Sequence, residues 1–446
     1  MNEIKLFADE KISTLFLKIA IPGSIGMLFS GVYAILDALF VSNYLGGTAF
    51  SALNLALPFV MILTYISDLI GVGSSVLISI ALGKGHTEQA NKLFSVSALL
   101  IVLLEAALSI VFFLACPLVF RELGAQGDML DMATSYMRMY LVFLPVSALC
   151  FAFDNYLRIS GKVKTSMGVN IFMCVFIIAM EYLFLGVFHM GVWASALASS
   201  ISFVVCSLFD IFLFAGKKLT LQFVKPSVPF RDVLDILKNG SATFINNVSG
   251  KIMGIIFNAI LLRIAGQNGV NTLGILLSIE SFIVLLMYGC CDALQPAIGY
   301  NLGRGKIDRV KAIQKLVYAV SGTICLAAAV LLLALPERFA EAFLDASQST
   351  ALGMTVTAIF IYAFTWLTRW FSYATQSYFA ALNKPFASAV LSMAISLVVP
   401  CALLWLATPL GATGVWLNYP LTSLIVCLMA VVMLLYKIKR NTLYKI

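Results

Sequence analysis

Charge is what this sequence has least of. Only 11% of its 446 residues are charged, where a soluble domain carries about 25%. So little polar surface cannot cover a core of this size in water, which excludes a soluble enzyme. Histidine is nearly missing too, with His86 and His189 far apart in the chain. There is no HExxH, no GxSxG and no GxxxxGKS/T, so the sequence shows no zinc-protease, hydrolase or ATP-binding signature. The nine cysteines lie in or beside apolar stretches without metal-ligand spacing, and read as small buried hydrophobes. On these grounds the chain is not an enzyme, and no cofactor or firm metal site is expected.

What is present is apolar bulk. Hydrophobic residues make up 61% of the chain, which also excludes disorder. Twelve apolar segments are legible, at roughly 14–43, 51–82, 93–119, 132–157, 165–188, 192–216, 239–265, 272–302, 314–336, 351–380, 387–408 and 413–436. They lack the period-two alternation of a membrane β-barrel. The first is too long for a cleavable signal peptide and is read as a span. Placing the N-terminus inside puts 23 of the 29 Lys and Arg residues in inner segments and only Arg121 and Arg338 in outer loops. The positive-inside rule then predicts a multi-pass protein of the cytoplasmic membrane with both termini in the cytoplasm. The net charge of +8 is read as this topology signal beside anionic lipid, not as a nucleic-acid surface.

The chain repeats itself. Leu82-Gly83-Lys84-Gly85-His86-Thr87-Glu88 is echoed by Leu302-Gly303-Arg304-Gly305-Lys306-Ile307-Asp308 at an offset of 220. Tyr156 and Lys162 return as Tyr378 and Lys384, and Gly191-Val192-Trp193 as Gly414-Val415-Trp416, at offsets of 222 and 223. Six spans per half is an even number, so both halves enter the membrane from the same side. The prediction is an all-α polytopic membrane protein of twelve transmembrane helices. They form two six-helix lobes related by a pseudo-twofold axis along the membrane normal. The lobes are expected at 1–216 and 239–446, joined by a cytoplasmic linker at 217–238. The Leu-Gly-basic-Gly pattern reads as a helix end, with glycine as the cap and the cation at the negative end of the dipole.

Ionisable residues inside spans are the functional candidates. Asp154, Asp210 and Asp292 lie near inner ends, where water or snorkelling could satisfy them. Asp37 and Glu181 are deeper. Asp37 lies about 9 Å below the outer end of span one, and Glu181 and Ser199 about 12 Å below the outer ends of spans five and six. If the two carboxylates meet, both cannot be ionised cheaply, and one must take a proton or a metal cation. The other reading is that they face different neighbours. In the second half, Lys251 or Arg263 could pair with Glu280, either as a structural pair or in contact with substrate. Arg369, between Trp366 and Trp370, lines the inner cavity or snorkels.

These features resemble the MATE (multidrug and toxic compound extrusion) family, and within it the bacterial DinF- and MepA-like branch. The resemblance covers nearly the whole chain. It rests on the two six-span halves, both Leu-Gly-basic-Gly loops, Ile21-Pro22, Tyr33-Ala34-Ile35-Leu36-Asp37 and Gly161-Lys162-Val163-Lys164. The most specific run is Gln295-Pro296-Ala297-Ile298-Gly299-Tyr300-Asn301-Leu302-Gly303. It implies export of bulky, often cationic and amphipathic compounds by alternating access, with substrate between the lobes and inward H⁺ or Na⁺ as the drive. It also implies a coupling site at Asp37, at Glu181 on the position of a span-five Asp, and at Ser199 on that of a span-six hydroxyl. The family's Asn one turn before the span-five acid falls on Ile177, which removes an amide ligand for Na⁺ and favours protonation. The substrate cavity is expected to involve Tyr33, Lys251, Glu280 and Arg369, and the protein to act as a monomer in lipid. The alternative is a flippase of lipid-linked oligosaccharide or lipid from the same superfamily, which would use the cations Lys251, Arg263 and Arg369.

Overall fold

The computed structural model describes residues 5–344 and 349–445, with the side chains of residues 5, 30–35, 38, 349 and 406–408 outside that description. Every described element is helical. A chain this apolar must satisfy its backbone hydrogen bonds internally where no water is at hand, and the helix does so within each segment.

The first half holds span one (residues 12–45), span two (47–83), span three (Thr87–Glu122), span four (Gly127–Ile159), span five (Val163–Val187) and span six (Trp193–Ala215). The second holds span seven (residues 230–265), span eight (267–303), span nine (Ile307–Ala334), span ten (Thr350–Ala363 with Trp366–Ala381), span eleven (Pro385–Trp405) and span twelve (Gly411–Lys439). Ten runs are long and apolar enough to cross a membrane, or eleven when the two halves of span ten count together. One of them, Phe230–Gly303, is 74 residues long. As a single helix it would reach about 110 Å against a hydrocarbon core of about 30 Å. It is two spans, which completes the twelve.

The break in that run is a single residue. Gly266 sits at φ 61°, ψ −153°, and Gly46, between spans one and two, at φ 79°, ψ −175°. A side chain is strained there, so glycine alone lets one helix end and the next begin without a loop. Elsewhere the expected loops are present. Gly85 and His86 donate to the carbonyls of Leu82 and Ala81, and Gly305 and Lys306 to those of Leu302 and Asn301, closing spans two and eight alike. Just beyond the first of these loops Lys92 pairs with Glu88 at 2.7 Å.

Two compact units emerge. One is Ile25–Gly240 with the chain before Lys11, and the other is Lys11–Ser24 with the chain from Ser241 onward. The opening stretch of span one thus packs within the second unit, and the opening stretch of span seven within the first. Both junctions are backbone-close. A Cβ on Gly240 would stand 1.8 Å from the Leu69 carbonyl oxygen, and one on Gly289 would stand 2.5 Å from Ser24 Cα. Span seven begins at Phe230, inside the stretch 217–238 that was expected to be linker. Pro229 precedes it, Asp232 occupies its first turn, and Lys238 pairs with Asp235 one turn along at 3.3 Å. Arg231, Asp232, Asp235 and Lys238 therefore lie on a helix and not in a loop.

The remaining linker is not slack. Leu221 is fully buried, and the backbone N–H groups of Gln222 and Val224 donate to Asn91 and Ser95 of span three at 3.0 and 2.9 Å. Phe223 joins Phe94, Phe153, Tyr156 and Phe214 in one aromatic cluster. The second unit repeats the device with its tail. Leu443 is buried, Tyr444 receives a hydrogen bond from Tyr378 at 3.2 Å, and the Lys311 ammonium lies 5.6 Å from the Tyr444 ring. Thr220-Leu221 and Thr442-Leu443 are one more match at an offset of 222.

Candidate functional site

Span six starts its helix at Trp193, so Ser195 lies on the first turn. From there its hydroxyl donates to Asp37 Oδ1 of span one at 2.6 Å, and Asp37 is 7% exposed. The positive end of a helix dipole favours negative charge, and Ser195 holds this carboxylate at the start of span six. Glu181 closes the regular part of span five, where the chain widens into a π-helical turn at Tyr182–Val187. Its side chain is fully buried and faces Asp37 and Ser195. Neither of its oxygens has a hydrogen-bond partner among the described residues. The structure therefore brings Asp37 and Glu181 together, with spans one, five and six each contributing one oxygen-bearing side chain.

Ser199 is buried one turn further along span six. The hydroxyl that touches Asp37 is Ser195, which depth counting passed over. A π turn has less rise per residue than an α turn, so the eight residues from Glu181 to His189 carry less depth than a regular helix would give. Ile177, one turn before Glu181, is fully buried and apolar. No amide therefore joins the oxygens of this site from that position. Among the described residues no cluster of three or more His, Cys, Asp or Glu is arranged around a metal position.

A second set of acids lies nearer the ends that carry the basic loops. Asp154 of span four pairs with Arg158 at 2.5 Å and accepts from Asn170 at 2.8 Å and from Ser166. Asp292 accepts from Tyr373 at 2.7 Å, Gln295 at 2.8 Å and Ser377 at 2.9 Å. Both are satisfied by protein groups. Asp210 is not: it is fully buried and neither carboxylate oxygen has a partner. Proximity to an inner end had suggested water or snorkelling for all three acids, and that does not describe Asp210.

In the second unit, Glu280 of span eight pairs with Arg369 of span ten at 3.0 Å, and the side chains are 17% and 19% exposed. Lys251 and Arg263 are both exposed and neither is the partner, which corrects that expectation. Span ten bends by 51° between Ala363 and Trp366. Arg369 sits just past this bend. Tyr288, Tyr362 and Tyr419 lie within electrostatic reach of the guanidinium. Tyr419 meets Phe257 and Tyr362 with ring centroids 5.1 Å apart in each case. Of the expected cavity residues, Glu280 and Arg369 are therefore joined, Lys251 stands apart, and the Tyr33 side chain lies outside the described residues.

The MatE family model matches residues 22–183 and 242–406, one block in each half. The multidrug export protein MepA of Staphylococcus saprophyticus is 28% identical over 324 residues, covering 71% of either chain. That of Staphylococcus aureus is 27% identical over 329 residues, covering 73% of this chain and 72% of the relative. A MOP superfamily transporter from Pyrococcus furiosus superposes with a TM-score of 0.91 at 21% identity, over 100% of this chain and 99% of the other. The outward-facing form of a multidrug resistance MATE family transporter gives 0.92 at 21% identity, with the same coverage. At that identity the two structures show a shared fold.

Proposed function

Since the chain belongs to the MatE family of membrane transporters, we propose that it exports cationic, amphipathic organic compounds by antiport with an inward cation, and that Asp37, Glu181 and Ser195 form the coupling site. The observation that supports this most is Glu181. An ionised carboxylate buried without a donor, beside a second carboxylate, is too unfavourable to persist. Asp37 has a donor in Ser195 and a helix start behind it, so Asp37 holds the negative charge and Glu181 the proton.

Uptake of a further proton by Asp37 neutralises the site. It removes the pull of Ser195 and of the span-six helix start on span one, which frees span one to shift. Loss of that proton restores the charge and the earlier packing. Alternating access of the two lobes would follow from this exchange, with substrate leaving as the cation enters. Na⁺ is the other candidate ion, with the carboxylate oxygens and the Ser195 hydroxyl as ligands. The apolar Ile177 favours the proton. The basic loops are taken to face the cytoplasm, which puts both termini there.

In the second unit, the Glu280–Arg369 pair and its tyrosines fit a substrate contact. A planar organic cation could stack on Tyr362 or Tyr419 and compete with Arg369 for Glu280. A flippase for anionic lipid headgroups would need Arg369 unpaired, and the ion pair argues against it. The deciding experiment reconstitutes the protein and follows efflux of a cationic dye under imposed H⁺ and Na⁺ gradients separately. The expected result is efflux that follows the H⁺ gradient and is lost in Asp37→Asn and Glu181→Gln. Intact, gradient-dependent efflux in both variants would overturn the coupling site. Transport of lipid-linked substrate without dye efflux would overturn the exporter reading.

A further inference from the structure

Asp210 has no place in the mechanism so far. It lies on span six, fifteen residues past Ser195, or about 22 Å along the axis toward the end that carries Lys217 and Lys218. Its surroundings are specific. Asp154, on span four, is engaged by Arg158, Ser166 and Asn170, so both of its oxygens are occupied. Asp210 lies within electrostatic reach of Asp154 but is excluded from this network, with both oxygens buried and unpartnered. Cys150 and Cys206 lie between spans four and six at this level, and both are buried. Asp68 of span two faces Asp154. Among the described residues, Asp154 and Cys150 face Asp210 and Cys206 lies beside Cys150, while Asp68 and Arg158 face Asp154, and the Arg158 cation is already paired there. An ionised Asp210 would be an uncompensated buried charge beside a second one, so the side chain must carry a proton.

Span six links this position to the coupling site. Ser195, Ser199, Ser202, Cys206 and Asp210 recur at intervals of four, three, four and four residues, so they share one helix face. All five are buried. Steps of three or four residues are about 5 Å apart along the axis, the reach of one bridging water or one side-chain rotation. The face begins at the hydroxyl bonded to Asp37 and ends at the unpartnered acid.

We propose that Asp210 is a second proton-carrying site of the first unit, and that the polar face of span six passes protons between it and the Asp37–Glu181 pair. The transfer conserves protons: Asp210 gives up its carboxyl proton toward the basic-loop end as the relay delivers another from the coupling pair. This rests on the coupling role proposed for Asp37 and Glu181. It adds a route by which their proton reaches the far side through the interior of one lobe.

The test uses the full-length protein in proteoliposomes and reads protonated carboxyl groups directly, by the C=O stretch in pH-difference infrared spectra. The expected result is a band that is lost in Asp210→Asn, shifted in Asp210→Glu, and retained in Asp37→Asn and Glu181→Gln. In parallel, Cys206→Leu should slow dye-coupled proton uptake more than Cys206→Ser does. The inference is overturned if Asp210→Asn keeps every wild-type carboxyl band, or if both Cys206 variants take up protons at the same rate. Should Asp210→Asn not fold, an unshifted band in Asp210→Glu overturns it as well. If instead Asp37→Asn and Glu181→Gln leave gradient-driven efflux intact, the coupling reading fails while the Asp210 band still reports on its own site.

Discussion

Ser195 donates its hydroxyl proton to Asp37 across 2.6 Å, tying the first turn of span six to span one. Such a bond is stronger to a charged carboxylate than to a neutral carboxyl. Ser195→Ala should therefore weaken the charged state by the worth of one charge-assisted hydrogen bond, about 1.5–3 kcal/mol. The expected outcome is a roughly 10- to 100-fold change in the proton concentration that half-saturates efflux, with Ser195→Thr close to wild type. The measurement is efflux rate against internal and external pH in proteoliposomes. An unchanged half-saturation point would assign the bond a packing role only.

The Glu280–Arg369 pair makes a prediction about stability as well as substrate. Removing one partner of a buried pair leaves the other uncompensated, at about 3–5 kcal/mol when fully buried. These side chains keep some exposure, so about half of that is expected for Glu280→Gln or Arg369→Gln. The double variant should recover part of the loss. Thermal unfolding of the detergent-solubilised protein measures it, and a double variant no better than the worse single one would argue against pairing.

Backbone contact at Gly240 and Gly289 should tolerate no side chain. Gly240→Ala sets a methyl against the Leu69 carbonyl, and Gly289→Ala sets one against Ser24. Each should lower the unfolding midpoint by the equivalent of at least about 1–3 kcal/mol, the usual range for overpacking. Gly168→Ala, with open space around the added carbon, is the control that should leave the midpoint in place.

The buried tail should matter as much as a core residue. Leu443→Ala is expected to lower stability by about 2–4 kcal/mol, and Leu221→Ala by a similar amount in the other unit. Limited proteolysis at the two sites reports on each. Faster cleavage confined to the altered unit is the expected pattern.

Much of this was legible in the sequence. Ionisable groups are rare enough in an apolar chain to announce themselves, so Asp37 and Glu181 stood out by type and depth. Serine announces nothing, being tolerated throughout membrane helices, and Ser195 was hidden by a π turn that the sequence does not mark. The partner of Glu280 was equally hidden. Lys251 and Arg263 are nearer in the chain, but both are exposed, and the partner comes from span ten, 89 residues further on. The gaps between apolar segments at 44–50 and 266–271 hold no loop but the single-residue breaks at Gly46 and Gly266, which hydrophobicity alone does not mark. The repeat is visible in loops and span starts and runs on past the last apolar segment. There Thr442-Leu443 continues it.

The single-residue break at Gly46 bears on how force could travel in this protein. Two torsion angles are all that separate span one from span two, so there is no slack for a loop to take up. Asp37 lies nine residues before this joint. If Asp37 couples as proposed, a displacement that protonation imposes on span one reaches the head of span two across this one joint. The carboxylate would then be the short arm of a lever, and Gly46 its pin.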